Sequence, residues 1–365
     1  MKKCLFIIIS IMVLSFSIFF LLSSKKEFSE NENRYLAKMP DLTFSNIKSG
    51  RFVSELETFI TDSFPLRDFL VGLKTRVEKI VGKKDINDIY LGKDDFMLTR
   101  YQKIDTSKLI NLLNDFQTKN RESNINLMIV PSSISIYDDK LPSYAITDSE
   151  IDVINEIYNK VSIPSINVYN TLLKLKETDQ VFYKTDHHWT TIGAYYAYLE
   201  FCKKNNITPK NINYFDIVKV NDFYGTLYSK TNNYKVSSDT ISLFKTKTNF
   251  LVQYLDNKKE SNTLYDDTYL NSKDKYSIFL SNNHSLLTIT NLDIVNNDEI
   301  LVIKDSYGNS FIPFLAEHYK KVHVVDLRYN LNSMTDYLKK NNINNVLILY
   351  NINTINDESS IYYLR

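Results

Sequence analysis

The stretch KTDHHWT, residues 184–190, sets an acid, Asp186, beside two imidazoles, His187 and His188, and the only tryptophan of the chain, Trp189. Residues of these types so close together have three uses. Carboxylate and imidazole suit a divalent metal. An aspartate that orients an imidazole is half of a hydrolytic triad. The same residues also form a polar knot at a strand end with no chemistry. Each use makes a different demand on the rest of the chain.

A centre of the DHH-type metal-dependent phosphoesterases needs further ligands, usually acidic pairs after other strands. The remaining histidines, His284, His318 and His323, fall in no metal-like spacing, and no His-x-Asp-x-Asp run exists. This alternative is set second, and no metal ligand or soluble cofactor is assigned.

The triad demands a serine at a strand-to-helix turn. In ILVIKDSYGNSF, Ile300 to Ile303 reads as a buried strand and Ser306 falls just past it; Gly308 loosens the turn before Phe311 opens a helix. Backbone N–H groups at a helix start can hold an oxyanion. Asp186 and His188, two apart on extended backbone, share a face, so the aspartate can orient the imidazole that deprotonates Ser306. His187 would point the other way. Taken alone, Ser306 reads more readily as a helix cap than as a nucleophile. Its coincidence with the Asp-x-His-Trp run favours the nucleophile.

These residues need a frame to hold them. A helical stretch, Thr106 to Asn120, leads to the apolar run NINLMIV, and a second, Ser149 to Lys160, leads to PSINVYNTL. The runs EILVIK, KVHVV and NVLILYN follow, separated by helix-like segments around Phe311 to Tyr319 and Ser333 to Lys340. Strands alternating with helices predict an α/β fold, a parallel sheet flanked by helices. Residues 210–298, rich in Asn, Thr, Tyr and Asp, read as an inserted β-rich region beside that sheet. Upstream, Phe52, Leu56, Phe59 and Ile60 at helical spacing, a break at Pro65 and a run from Leu66 to Val81 predict two amphipathic helices. NDIYLGKDDFMLT predicts a hairpin turning at Gly92.

A net charge of +1 without a basic stripe excludes nucleic acid as a partner. Leu5 to Leu22 is a run of 18 residues without a charge, preceded by Lys2 and Lys3. It is long enough to span a bilayer, and the LLSSKK that follows offers no small-x-small cleavage site. The expected layout is an N-terminal membrane anchor over 1–24, a linker over 25–50 and a catalytic domain over 51–365 outside the cytoplasm; secretion after cleavage is the alternative. Cys4 and Cys202 leave no disulfide within the exported part, and Cys202 reads as a buried helix residue.

TDHHWTTIGA resembles the Asp-x-His-Trp signature of the SGNH hydrolase-like proteins that O-acetylate exopolysaccharides, the alginate O-acetylation proteins and their DHHW relatives. ENRYLAKMPDL with FITDSFPLRD, IFLSNNHSLLTI, ILVIKDSYGNSFIPFLAEHY and VHVVDLRY extend the likeness over most of the chain past the apolar run. The resemblance implies an O-acetyltransferase or esterase whose triad is Ser306, His188 and Asp186. It also implies a polysaccharide acceptor, and an acetyl donor supplied by a multispanning membrane-bound O-acyltransferase. The signature's second position varies, so no catalytic role for His187 is implied. The Gly and Asn blocks of ordinary SGNH hydrolases are not recognisable. The Ser306 N–H is the expected oxyanion donor, with Asn282 or Asn283 second, unless these are plain turn asparagines. Arg328 either holds an anionic or sugar group or pairs with a carboxylate. Trp189 stacks on a sugar or, the favoured reading, packs in the core. A non-catalytic assembly or carbohydrate-binding protein on the same fold remains the other class of function.

Overall fold

The computed structural model describes residues 2–22, 26–29, 34–143, 145–231, 236–357 and 359–364. Residues 23–25 of the LLSSKK stretch, where the expected anchor meets the linker, and part of the expected linker, at 30–33, lie outside the described residues. The chain divides into two compact units: Met1–Asn87 with Tyr228–Lys235, and Asp88–Leu227 with Val236–Arg365.

The first unit is mainly helical, with α1 (Lys2–Leu22), α2 (Phe44–Lys48), α3 (Arg51–Asp62) and α4 (Arg67–Ile80), and a short antiparallel pairing of Phe28–Ser29 with Arg34–Tyr35. Thr43 caps α2 by accepting from the Asn46 N–H. Pro65 and Leu66, the latter at φ 57°, separate α3 from α4, where the sequence placed its break. The apolar run is helical within α1. In that stretch the side chains are described at 5–7, 9–15 and 17–20, so among the described residues no helix is long and apolar enough to cross a membrane. The structure therefore adds no support of its own for a spanning anchor.

The second unit holds strands β1 (Ile89–Leu91), β2 (Met97–Thr99), β3 (Asn124–Val130), β4 (Asp216–Phe223), β5 (Asp239–Lys245), β6 (Phe250–Tyr254), β7 (Lys259–Ser261), β8 (Leu286–Asn291), β9 (Glu299–Lys304), β10 (Lys321–Val325) and β11 (Asn345–Asn351). Its helices include α5 (Ser107–Lys119), α6 (Glu150–Lys160), α7 (Tyr169–Leu175), α8 (Thr191–Lys204), α9 (Gly308–Leu315) and α10 (Met334–Asn341). Seven strands form one sheet in the order β7-β6-β8-β10-β9-β11-β3. From β10 to β3 the pairs are parallel, with Ile303 opposite both Val325 and Ile348. Those four strands are buried almost without interruption, as strands covered on both faces must be.

Two expectations are corrected. The region 210–298 does not simply lie beside the sheet: β6, β7 and β8 extend it as antiparallel strands, and only β4 with β5 forms a separate ribbon. β6 alternates buried with half-buried residues, so its sequence carries the weaker, two-residue period of a strand covered mainly on one face. PSINVYNTL is no strand either. Ser165 makes a single parallel bridge to Leu127 before Asn167 accepts from the Tyr169 N–H and starts α7.

One helix pair frames the site. α8 begins two residues after Trp189, and α9 begins two residues after Ser306. They pack through Phe201 on Phe311 and Tyr198 on Phe314, at centroid separations of 6.2 and 5.6 Å. This packing fixes the two functional segments against each other.

Candidate active site

Lys304 ends β9 and Gly308 begins α9, leaving Ser306 in the turn between them at the carboxyl edge of the parallel strands. Buried Asp305 holds the turn: its carboxylate accepts from the Tyr307 N–H at 2.9 Å and from the Asn351 N–H, at the end of β11, at 2.8 Å. Gly308 is needed for packing rather than to loosen the turn. It is helical, and a Cβ there would stand 2.8 Å from the Cβ of buried Lys304. Among the described residues no hydrogen bond takes up the Ser306 N–H, which leaves it available to an oxyanion.

Segment 181–190 is a closed loop. Phe182 and Trp189 form an antiparallel bridge, and residues 184–188 bend between them. Asp239 of β5 holds the bend, accepting from the N–H groups of Lys184 and Thr185 at 3.0 and 2.8 Å. Asp186 folds over this bend, accepting from the N–H of His188 at 3.0 Å and from its Nδ1 at 2.5 Å. A carboxylate can only accept, so Nδ1 carries the proton and Nε2 is left to accept. Ser306 Oγ lies 2.7 Å from that Nε2.

The pairing expected from the sequence is present, but not through extended backbone. His187 does not point away: its ring lies 3.8 Å from that of His188 between centroids, and its Nδ1 is 2.6 Å from Thr226 Oγ1. Burial drives the Asp186 carboxyl upward, but the neighbouring charges of His188 and His187, with hydrogen bonds from His188 and Thr226, outweigh it. The group is held well below the usual carboxylate range.

Several partners are ones the sequence reading missed. Thr226 donates its N–H and its hydroxyl to Asp186 Oδ2 at 2.8 and 3.1 Å. Tyr276 stacks face to face on His188, 3.7 Å between centroids and 8° between planes, and its hydroxyl donates to the Ser306 carbonyl at 3.1 Å. Tyr307 donates its hydroxyl to the carbonyl of His187. The one available signal was glycine scarcity. With 7 glycines in the chain, Gly225 beside Thr226 marks a position where a side chain does not fit.

The other candidates sit elsewhere. Trp189 is fully buried, stacks on Phe311 and donates from Nε1 to the Tyr307 carbonyl and Ser310 Oγ, both at 3.0 Å. It cannot stack on a sugar. Arg328 forms a two-pronged pair with Asp326 at 2.9 and 2.6 Å. Asn283 accepts from Lys304 Nζ at 3.0 Å and from Asn309 at 3.1 Å, and donates to Asn282 Oδ1 at 3.2 Å. Among the described residues neither asparagine is hydrogen-bonded to Ser306.

Asp186, His187 and His188 also form the one cluster among the described residues whose ligand atoms lie close enough to hold a metal, within 4.8 Å. Their donor atoms are already taken: both His188 nitrogens by Asp186 and Ser306, His187 Nδ1 by Thr226, and both Asp186 oxygens by protein donors. A metal taking one atom from Asp186 and one from His188 would have to break the bond that each of those atoms makes now.

A mixed α/β sheet thus presents a serine at a strand-to-helix turn to an Asp-His pair from an upstream loop. The chain belongs to the DHHW family, whose model, described as DHHW protein, matches residues 91–325. It is similar to a DHHW family protein of known structure from Eubacterium siraeum, with 25% identity and a TM-score of 0.67 over 74% of this chain and 92% of that one. PatB1 of Bacillus cereus, solved with a sulfonyl adduct, shares the fold at 18% identity and a TM-score of 0.61, over 76% of this chain and 98% of that one. In sequence the chain is 24% identical over 163 residues to the probable alginate O-acetylase AlgJ of Pseudomonas syringae pv. tomato; the match covers 41% of each chain.

Proposed function

We propose that the protein is an O-acetyltransferase acting on a polysaccharide outside the cytoplasm, with Ser306 as nucleophile, His188 as general base and acid, and Asp186 as its orienting partner. One observation carries this reading: an unbroken hydrogen-bonded path from Asp186 through His188 to Ser306, with a half-buried hydroxyl at its end. Ser306 Oγ attacks the acyl carbonyl carbon while its proton passes to His188 Nε2. The bond to the donor's oxygen then breaks and that oxygen leaves with the proton. A sugar hydroxyl attacks the serine ester, gives its proton to Nε2, and Ser306 recovers it as the acyl group departs. Water in place of the sugar makes the protein an esterase.

The likeness to a probable alginate O-acetylase supports a polysaccharide acceptor. A membrane-bound O-acyltransferase as the donor's source belongs to the same proposal, carried over from the resemblance of the Asp-x-His-Trp run. Membrane attachment through residues 1–24 belongs to the same reading. Its support is the uncharged run itself, whose 18 residues are long enough as a helix to span a bilayer. The test of the chemistry is intact-mass analysis of full-length protein treated with a sulfonyl fluoride, alongside turnover of a small acetyl ester. A single adduct on Ser306, absent in Ser306→Ala, is expected, together with a fall in turnover of about 10³-fold or more. Unchanged turnover in a folded Ser306→Ala protein would overturn the assignment.

A further inference from the structure

We propose that α4 is an interfacial helix that lays its apolar face on an anionic lipid surface. Leu66, Phe69, Leu70, Leu73, Val77 and Ile80 recur at the spacing of one stripe along a helix. In a helix packed on a protein core that stripe points inward. Here the burial is reversed. Phe69 is 62% exposed, Leu73 43%, Val77 49% and Ile80 83%, whereas Gly72 and Thr75, on the opposite side, are buried. Thr75 Oγ1 donates to the carbonyl of Thr231 within the same unit, so it is the small, polar side that the unit holds. A continuous apolar stripe turned to water costs free energy in proportion to its area and marks an interaction surface.

Charge and position identify the occupant. Residues 67–84 carry six basic side chains, Arg67, Lys74, Arg76, Lys79, Lys83 and Lys84, against two acidic ones, Asp68 and Glu78. A basic excess flanking an apolar stripe is the pattern of helices that lie in the headgroup region of anionic membranes. Position agrees with charge: Phe20, near the end of α1, meets Phe59 of α3 edge to face at 6.4 Å between centroids. The α3–α4 pair thus begins where the chain would leave a bilayer, a step that rests on the membrane attachment proposed above.

The test uses full-length protein with Cys4→Ser and the buried Cys202 retained, reconstituted into vesicles of phosphatidylglycerol or phosphatidylcholine. Nitroxide labels are placed one at a time through Leu70→Cys, Leu73→Cys, Val77→Cys, Arg76→Cys and, within α1, Met12→Cys. In phosphatidylglycerol the labels at 70, 73 and 77 should gain access to oxygen and lose access to a water-soluble nickel complex. The label at 76 should remain open to nickel, and phosphatidylcholine should weaken the whole pattern. Labels at 70, 73 and 77 that stay in water while the label at 12 enters lipid would overturn the proposal and leave the anchor standing. The same three in lipid with the label at 12 in water would support the proposal and remove the anchor. Labels shielded from both probes, or broadened by spin contact between copies, would show the stripe covered by protein and would also overturn it.

Discussion

Gly225 lies against Asp186 so closely that a Cβ on the glycine would stand 2.2 Å from the aspartate's Cβ and 2.3 Å from its Oδ2. The missing side chain lets Thr226 bring two donors to Oδ2, while Oδ1 serves His188. The carboxylate is thereby held from both sides, and the direction of the imidazole follows from a glycine far away in sequence.

Gly225→Ala should therefore push Asp186 out of line. A shift of about 1 Å in a positioning group costs on the order of 10²-fold in rate, so acetyl-ester turnover should fall by about that factor with the fold retained. Turnover and circular dichroism measured side by side check this. Full activity in Gly225→Ala would show that the aspartate's placement is not limiting.

The site was legible where the chemistry is local. Asp186 and His188 are two residues apart, and Ser306 follows a recognisable strand, so residue types and spacing sufficed. The reason for the pairing was misread: extended backbone would have sent His187 away, but the carboxylate accepts from the N–H two residues on and bends the chain. Thr226 and Tyr276 were illegible because they come from the polar 210–298 region, where no period announces a contact with residue 186 or 188. Lys304 sits in an apolar strand, and nothing in its run shows that Asn283, Asn309 and Asp326 close around it. The four parallel strands were legible as continuous apolar runs, whereas β6 to β8, less uniformly buried, read as a separate region.

The two adjacent histidines should separate in their effects. His188→Ala removes the base and should cost about 10³-fold or more in turnover. His187→Ala removes a ring packed at a tilt against that base and a partner of Thr226, and should cost about tenfold, the rough scale of a single neutral hydrogen bond. Chelators should leave the wild-type rate unchanged. Equal losses in the two variants, with recovery on adding manganese or zinc, would favour the metal-dependent alternative.

Trp189→Phe should act on stability and leave sugar recognition alone. The substitution leaves the Tyr307 carbonyl and the Ser310 hydroxyl without the indole N–H, which costs about 1–3 kcal/mol for a buried group. A lowered melting temperature with an unchanged KM for an oligosaccharide acceptor is expected. A raised KM at unchanged stability would contradict the burial of this ring.

Stability should also carry a signature from Glu150, the first residue of α6. Only 2% exposed, its carboxylate accepts from the Ser132 N–H at 2.8 Å and from the Ser132 hydroxyl. Burial pushes its pKa up from 4.5 to about 7, further than the two serine hydrogen bonds pull it down. The sign follows from proton counting. Between pH 4.5 and 7 the folded protein holds a proton here that the unfolded chain has released, so stability falls as pH rises through this window. Below it the penalty is absent, and above it the penalty is complete. Glu150→Gln keeps both contacts, its oxygen accepting from the Ser132 N–H and its amide donating to the hydroxyl, and it never ionises. The variant should match the wild type near pH 4.5 and exceed it at pH 8 by on the order of 3 kcal/mol, the worth of raising a carboxyl from 4.5 to about 7. Urea unfolding of both proteins at each pH measures the difference directly, and groups common to both cancel. A difference that stays flat across this range would mean that Glu150 is not buried in its charged form as the structure places it.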